Sequence, residues 1–240
     1  MRRRFFVEQF DSGSAVLRGE AAQHLGHVLR AEPGQLYELS DGTAVWLART
    51  ERVARDAVEF SLVERLPAPQ PRLRVALLLA IVKFDRFEWS LEKATELGVD
   101  EIVPLAAARS EKALVAAAAK RSTRWQKILL ESAQQAHRLR LPVLQPIARP
   151  KEAFSGVAAQ HALPLLLSER QDAPPLRRVL EGKSAVSAAL AIGPEGGWTD
   201  EELLGAREAG FAEASLGVNI LRTETAVISA LSILNYVLGE

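Results

Sequence analysis

The residues with the greatest chemical reach lie in the last quarter of the chain. Gly193, Pro194, Glu195, Gly196 and Gly197 form one cluster, and Arg222 follows it. Three glycines in so short a stretch permit backbone angles closed to other residues and leave no side chain to hold a ligand off the peptide groups. Glu195 stands inside the cluster, and Asp200, Glu201 and Glu202 follow it. That negative charge is hostile to phosphate and tolerant of a neutral or cationic ligand. Neither the Lys-Ser/Thr ending of a phosphate-binding loop nor the spaced three-glycine fingerprint of a dinucleotide fold occurs. The same cluster also suits an ordinary strand-to-helix turn, with glycines for geometry alone.

The flanking residues predict how the cluster is held. Ala188, Ala189, Leu190, Ala191 and Ile192 make a continuous apolar run, as expected of a strand buried on both faces. Thr199 with Glu202 reads as a capping box, so a helix starts near Asp200, and Gly210 closes it. Ala214 to Leu216 read as the end of another short strand, broken by Gly217. A helix then starts near Thr223, with Ala226, Val227, Ala230, Leu231, Leu234, Val237 and Leu238 at helical spacing. Arg222 stands at its start, where the helix dipole disfavours a cation. A salt bridge to Glu224 or another acid is the structural reading of that residue; stabilisation of negative charge is the functional one.

Two stretches now combine. Ile192-Gly-Pro-Glu-Gly-Gly197, with Leu216-Gly-Val-Asn-Ile-Leu-Arg-Thr-Glu-Thr-Ala226, resembles the signature loops of the ribosomal small-subunit RNA methyltransferase E family, in the SPOUT superfamily of knotted methyltransferases. Lys83 and Lys93-Ala-Thr-Glu-Leu-Gly-Val99 also match that family. Asn219 stands where the family pattern has arginine, and Trp198 where it has phenylalanine.

Charge is balanced overall but unevenly spread. The 30 basic and 30 acidic residues sum to zero, whereas residues 109–140 carry a balance of plus six and residues 184–240 one of minus six. A basic region in a neutral chain fits a protein that holds a polyanion away from its acidic loops. Within it a helix is predicted over 122–139, with Trp125, Ile128, Leu129, Ala136 and Leu139 inward. Arg124, Lys127, Glu131, Gln134 and Arg138 recur on another stripe, either a solvated face or a track for phosphates. The family match of Gln135 and Arg138 favours the track, and Arg109, Lys112, Arg124, Lys127 and Arg138 are the expected RNA contacts.

The rest of the chain supplies scaffold. Residues 1–70 read as a small β-rich domain, with strands at Phe5 to Val7 and Ala15 to Leu17, a short helix over 20–29, a hairpin around Asp41-Gly42, and a strand through Val58, Phe60 and Leu62. His24 and His27 share a helical face but lack a third ligand, so they read as packing or surface residues. Pro67, Pro69 and Pro71 form a stiff linker. Residues 71–240 alternate strands and helices: a strand over 75–82, a helix over 85–97 ended by Gly98, and strands near 102, 163, 188 and 212. Five strands in this order imply a mainly parallel sheet covered by helices. Ser168-Glu169-Arg170 then falls where open α/β sheets bind ligands.

Absences narrow the class. There is no cysteine, which removes disulfides, thiol nucleophiles and cysteine-ligated zinc and suits a reducing cytoplasm. The basic start Arg2-Arg3-Arg4 precedes too few apolar residues for a signal-peptide core, and no run approaches the ~20 residues of a membrane span.

The resemblance implies more than spacing can. It implies a PUA-like β-barrel over 1–70, a SPOUT domain with a trefoil knot over 71–240, and a homodimer whose site lies beside the subunit interface. It implies S-adenosyl-L-methionine as cofactor, held by Leu167, Ile192, Gly193, Glu195, Gly196, Gly197, Leu216, Gly217, Ile220, Leu221 and Thr223. The implied acceptor is a uridine N3 in 16S ribosomal RNA of the small subunit, without a metal. Arg222 would stabilise the charge that develops on the base, and Glu195 would orient the base or accept its proton. A noncatalytic RNA-binding or ribosome-assembly factor with the same fold, methylation of another RNA position, and a nucleotide-using metabolic enzyme are the alternatives.

Overall fold

In the computed structural model of the 240-residue chain, residues 3–68 and 71–239 are described. Arg2 of the basic start and Pro69 of the proline linker lie outside the described residues. The chain forms two compact units, Met1–Gln70 with Ala133–Leu141, and Pro71–Ser132 with Pro142–Glu240.

In the first unit, alternation of apolar and polar residues builds five strands: β1 (Arg4–Phe6), β2 (Ser14–Arg18), β3 (Leu36–Ser40), β4 (Val45–Val53) and β5 (Ala57–Leu66). They pair in the order β1-β3-β4-β5-β2, antiparallel except for β1 with β3. Where a barrel was expected, the sheet is a curled half-barrel, with β1 and β2 as its unpaired edges. Phe5, Leu17, Leu39, Val58 and Phe60 point into one core together with Leu25. The helix expected over 20–29 is a short α1 (Gly19–Gln23) that widens into a single π turn over His24–Val28. His24 and His27 are exposed on it.

Ala133–Leu141 is held in this unit by polar contacts. Arg4 donates through Nε and Nη2 to Glu38 Oε2 at 3.0 and 2.7 Å and through Nη1 to the His137 carbonyl. The His137 ring nitrogen Nδ1 lies 3.0 Å from the same Glu38 oxygen. Ser40 donates to the carbonyl of Leu139 at 2.7 Å, and Arg140 to that of Gly42 at 2.6 Å. These contacts explain why the helix predicted over 122–139 stops early. α4 covers Ser122–Gln135, and His137 takes a left-handed backbone angle, φ 52°, that no helix continues through.

The second unit is a six-stranded parallel sheet. It comprises β6 (Arg74–Ala80), α2 (Phe84–Glu96), β7 (Glu101–Leu105), α3 (Lys112–Ala118), α4, β8 (Val143–Leu144), α5 (Pro150–Ala158), β9 (Leu163–Leu167), α6 (Leu176–Leu180), β10 (Ser187–Ile192), α7 (Asp200–Glu208), β11 (Ala212–Ala214) and α8 (Thr223–Leu238). The strand order is β11-β9-β10-β6-β7-β8, so β10 is inserted between β9 and β6. Five strands were expected; the sixth, β8, is too short to leave a periodic signal.

Burial on both faces accounts for the unbroken apolar runs. Val75, Leu77 and Leu79 of β6 meet Phe87 and Leu91 of α2, Trp125 of α4, and Val227, Leu231 and Leu234 of α8. Ala76, Leu78 and Ala80 meet Phe154 of α5, Trp198, Leu203 of α7 and Phe211 on the other face. The stripe predicted for α8 is buried except at Val237, which is 44% exposed beside the exposed Tyr236.

Candidate active site

The carboxyl ends of β9 and β10 lie side by side, Leu167 in register with Ile192. Open parallel sheets collect ligands at such ends. Three loops follow, after β9, β10 and β11, and they enclose a cavity of about 300 Å³.

Local chemistry fixes each loop. Gly197 N–H donates to the Pro194 carbonyl at 2.8 Å, closing the turn, and Gly197 adopts φ 70°, where a side chain is strained. The Thr199 and Glu202 capping box is complete, with Thr199 Oγ1 accepting from Glu202 N at 3.2 Å and Glu202 Oε2 accepting from Thr199 N at 2.9 Å. The remaining Glu202 oxygen accepts from Ala108 N at 2.8 Å, which brings the segment after β7 to the same corner.

Trp198 joins two loops. Its indole N–H donates to the Leu167 carbonyl at 2.9 Å, and its ring passes beneath Gly193, where a Cβ would meet ring atoms at 3.0 to 3.3 Å. Thr223 Oγ1 donates to the Gly193 carbonyl at 3.3 Å, attaching the start of α8 to the same turn.

All the expected cofactor residues but one border this cavity: Leu167, Ile192, Gly193, Glu195, Gly197, Leu216, Gly217, Ile220, Leu221 and Thr223. Gly196 instead turns its carbonyl to Arg109, which donates from Nη1 at 2.8 Å. Ser168, Glu169, Arg170 and Asn219 also border the cavity. So does Arg109, expected on an RNA track.

Charges here are selectively paired. Arg86 Nη1 binds Glu195 Oε1 at 2.8 Å, and Arg86 Nε lies 3.9 Å from Glu224 Oε1. Arg86 therefore occupies the place that Arg222 was given beside Glu224. Nothing in local sequence spacing pointed to it, because its partners are more than a hundred positions away. Arg222 caps α8 from an extended conformation, is exposed, does not border the cavity and has no ion pair among the described residues. Arg170 pairs with Asp172 at 3.2 Å and with Asp200 at 3.5 Å.

The other residues of the basic region divide. Arg124 and Arg121 both bind the buried Glu88 carboxylate, at 2.7 and 3.0 Å, and the Arg121 guanidinium lies 4.4 Å over the Phe84 ring. Lys112 and Lys127 are exposed, with only a 3.9 Å contact from Lys127 to Glu131 among the described residues. Arg138 belongs to the first unit. Among the described residues no His, Asp and Glu cluster could hold a metal ion, and no helix is long and apolar enough to cross a membrane.

Known proteins share this architecture. An RNA methyltransferase domain model matches residues 68–235. A Synechocystis protein, ribosomal RNA small subunit methyltransferase E, is 33% identical over 238 residues, covering 96% of this chain and 76% of its own. The crystal structure of a ribosomal RNA small subunit methyltransferase E from Neisseria gonorrhoeae, bound to S-adenosyl methionine, superposes with a TM-score of 0.88 at 30% identity, covering 100% of this chain and 99% of that one. A Legionella pneumophila protein in complex with the same cofactor gives 0.87 at 32% identity, with 100% and 99% covered. With this sheet, these loops and these relatives, the chain belongs to the ribosomal RNA small subunit methyltransferase E family.

Proposed function

We propose that the protein transfers a methyl group from S-adenosyl-L-methionine to N3 of a uridine in 16S ribosomal RNA of the small subunit. The observation that carries this reading is the cavity at the ends of β9 and β10, bordered by the glycine turn, three carboxylates and two guanidiniums. A Cβ on Gly193, Gly196 or Gly197 would crowd Trp198, Arg109 or Glu169, so the turn keeps its shape only with glycine at these positions. Such a pocket fits a flat nucleoside and a sulfonium cation and suits a triphosphate poorly. Relatives solved with that cofactor support the assignment.

When bound, the cofactor supplies an electrophilic methyl carbon on a positively charged sulfur. The protein's part is placement of an acceptor nitrogen in line with that carbon and stabilisation of the charge that grows as the N3 proton leaves. Arg222 has no carboxylate partner among the described residues and stands exposed at the start of α8, where it can meet a uracil carbonyl oxygen. Glu195 is fixed by Arg86, which suits it to orient the base.

The wider assembly follows the same reading. β10 entering between β9 and β6, with β11 beyond β9, supports a trefoil knot in the C-terminal segment. Val218, Ile220 and Tyr236 are 100%, 77% and 81% exposed, and large apolar side chains left in solvent support a homodimer with the site beside its interface. We assign residues 1–70 as a PUA-like RNA-binding domain and 71–240 as the SPOUT domain, acting in the cytoplasm. Lys112, Lys127 and Arg138, with Arg109 and Arg124, are the RNA contacts in this reading.

The test is nucleoside mass spectrometry of small-subunit RNA incubated with the protein and a methyl-labelled cofactor. Label in 3-methyluridine is expected. A labelled nucleoside of another kind, or none, overturns the assignment.

A further inference from the structure

The buried Glu88 of α2 binds two guanidiniums from the basic region and leaves them in different states. Arg124 donates through Nε at 2.7 Å, and its side chain is 63% exposed, so its terminal nitrogens remain available to a phosphate. Arg121 donates through Nη1 at 3.0 Å, and its guanidinium carbon lies 4.4 Å from the centroid of the Phe84 ring. Its charge is engaged twice, by a carboxylate and by an aromatic face. Yet the Arg121 side chain is 39% exposed. With Phe84 on one side and Glu88 at one edge, the open part of this planar group is the side away from the ring.

The support beneath it is fixed. Phe84 meets Trp125 edge to face at 6.3 Å, Trp125 lies 4.6 Å from Phe87, and both Trp125 and Phe87 are buried. A guanidinium held on such a base has already lost its rotamer freedom, so a flat group can settle on it at little further entropic cost. None of these residues borders the cavity. Arg86, two residues after Phe84, leaves the other side of α2 to reach Glu195 in the cavity turn at 2.8 Å. Arg121 therefore stands across the width of α2 from that turn, roughly 10–12 Å. That place suits a neighbour of the target base, not the target.

We propose that Arg121 is a stacking platform for an unpaired RNA base beside the target uridine, with Arg124 on an adjoining phosphate and Glu88 as the positioning residue that holds both arginines. This rests on the functional reading above, and it adds a residue that the basic stripe of the sequence did not single out. The chemistry of the acceptor demands such a strand. N3 lies on the pairing edge of uridine, so a base methylated there is unpaired when it reacts. Unpaired bases are read by stacking on aromatic rings and on arginine planes, and a lysine offers the same charge without the plane. Arg121 and Arg124 are three positions apart, neighbours on one helical surface, as a base and its phosphate require.

The test separates a stack from a charge. A small-subunit RNA fragment carrying the target uridine is made as a series, each member lacking the base at one position near that uridine, and affinities are measured by filter binding. Wild type should lose about 5- to 150-fold at one position, the worth of one stacked base. Arg121→Lys should bind the intact fragment more weakly by the same factor, be indifferent to removal of that base, and keep the wild-type slope of log affinity against log salt. Phe84→Leu, which removes the supporting ring, should weaken binding at the same position. Binding of S-adenosylhomocysteine by calorimetry should be unchanged in both variants; a parallel loss would make Arg121 structural and overturn the proposal. So would wild-type RNA affinity in Arg121→Lys, or a loss that is equal for every member of the series. Those results leave the methyltransferase reading in place, whereas failure of the wild type to bind the fragment at all overturns both.

Discussion

Trp198 donates its indole N–H to the carbonyl of Leu167 at 2.9 Å, so one buried side chain ties the turn after β10 to the end of β9. A phenylalanine at this position would fill much of the space but has no donor. Trp198→Phe should therefore cost about 1–3 kcal/mol, because the Leu167 carbonyl is left without this partner in a buried place. Gly193→Ala attacks the same contact from the other side. Its Cβ would sit 3.0 Å from the ring, and a ring pinned by a hydrogen bond has little room to give, so about 1–3 kcal/mol is expected. Urea unfolding reads both. The Gly193 variant should also lose cofactor affinity, since relief comes only by moving the turn.

Arg86 is the cation common to Glu195 and Glu224. The Glu224 side chain is only 12% exposed, and its Oε2 is buried without a hydrogen-bond partner. Arg86→Met keeps the stem and removes the charge, leaving a nearly buried carboxylate uncompensated. Stability should fall by roughly 1–3 kcal/mol. A double variant, Arg86→Met with Glu224→Gln, should recover part of that loss, and failure to recover any would show that the two residues are not coupled.

Arg222 tests the chemistry apart from the pocket. It is exposed and does not border the cavity, so Arg222→Ala should leave cofactor affinity unchanged. Loss of one donor to a developing anion typically lowers kcat about 10²–10³-fold. Single-turnover methylation together with calorimetry separates the two effects. Wild-type turnover in the variant would remove Arg222 from the mechanism.

Glu38 gives the first unit a pH dependence. Burial alone would raise its pKa, but hydrogen bonds from Arg4 and His137 outweigh burial and hold it below the ordinary 4.5. The unfolded chain therefore takes up this proton first as pH falls. The stabilisation is complete above about 4.5 and is lost as pH drops through the lowered value. Acid unfolding of Glu38→Gln should be flatter across that window than wild type, and the variant should already be less stable at neutral pH by about 1–3 kcal/mol. Parallel curves would assign the acid sensitivity to another carboxylate.

The legible parts of the sequence were those with a short-range signature. Ala188 to Ile192 reads as a buried strand because every residue is apolar, one residue short of the observed β10, and Thr199 with Glu202 reads as a cap because both partners lie within one helical turn. The loop residues came from the family resemblance, and the cavity collects nearly all of them. What escaped was long-range pairing. Arg86 meets Glu195 across 109 positions, and Arg4 meets the His137 carbonyl across 133. No periodicity encodes either contact. The end of α4 was missed for the same reason: its apolar spacing runs on toward Leu139, while contacts from β3 and Arg4 impose a left-handed residue at His137.

The basic helix yields the last prediction, because its cations are not equivalent. Arg124 is fastened to the buried Glu88 at 2.7 Å, so Arg124→Ala strips a carboxylate of one of its two guanidiniums and should lower stability as well as RNA affinity. Lys127 is exposed and among the described residues has only a 3.9 Å contact with Glu131, a pair of small worth on a helix surface. Lys127→Ala should leave the unfolding curve in place. If Lys127 meets a phosphate, removing it lowers the slope of log affinity against log salt by about 0.7–0.9. Filter binding of a small-subunit RNA fragment across a salt series measures that slope. An unchanged slope would place Lys127 on a solvated face and remove it from the RNA contacts.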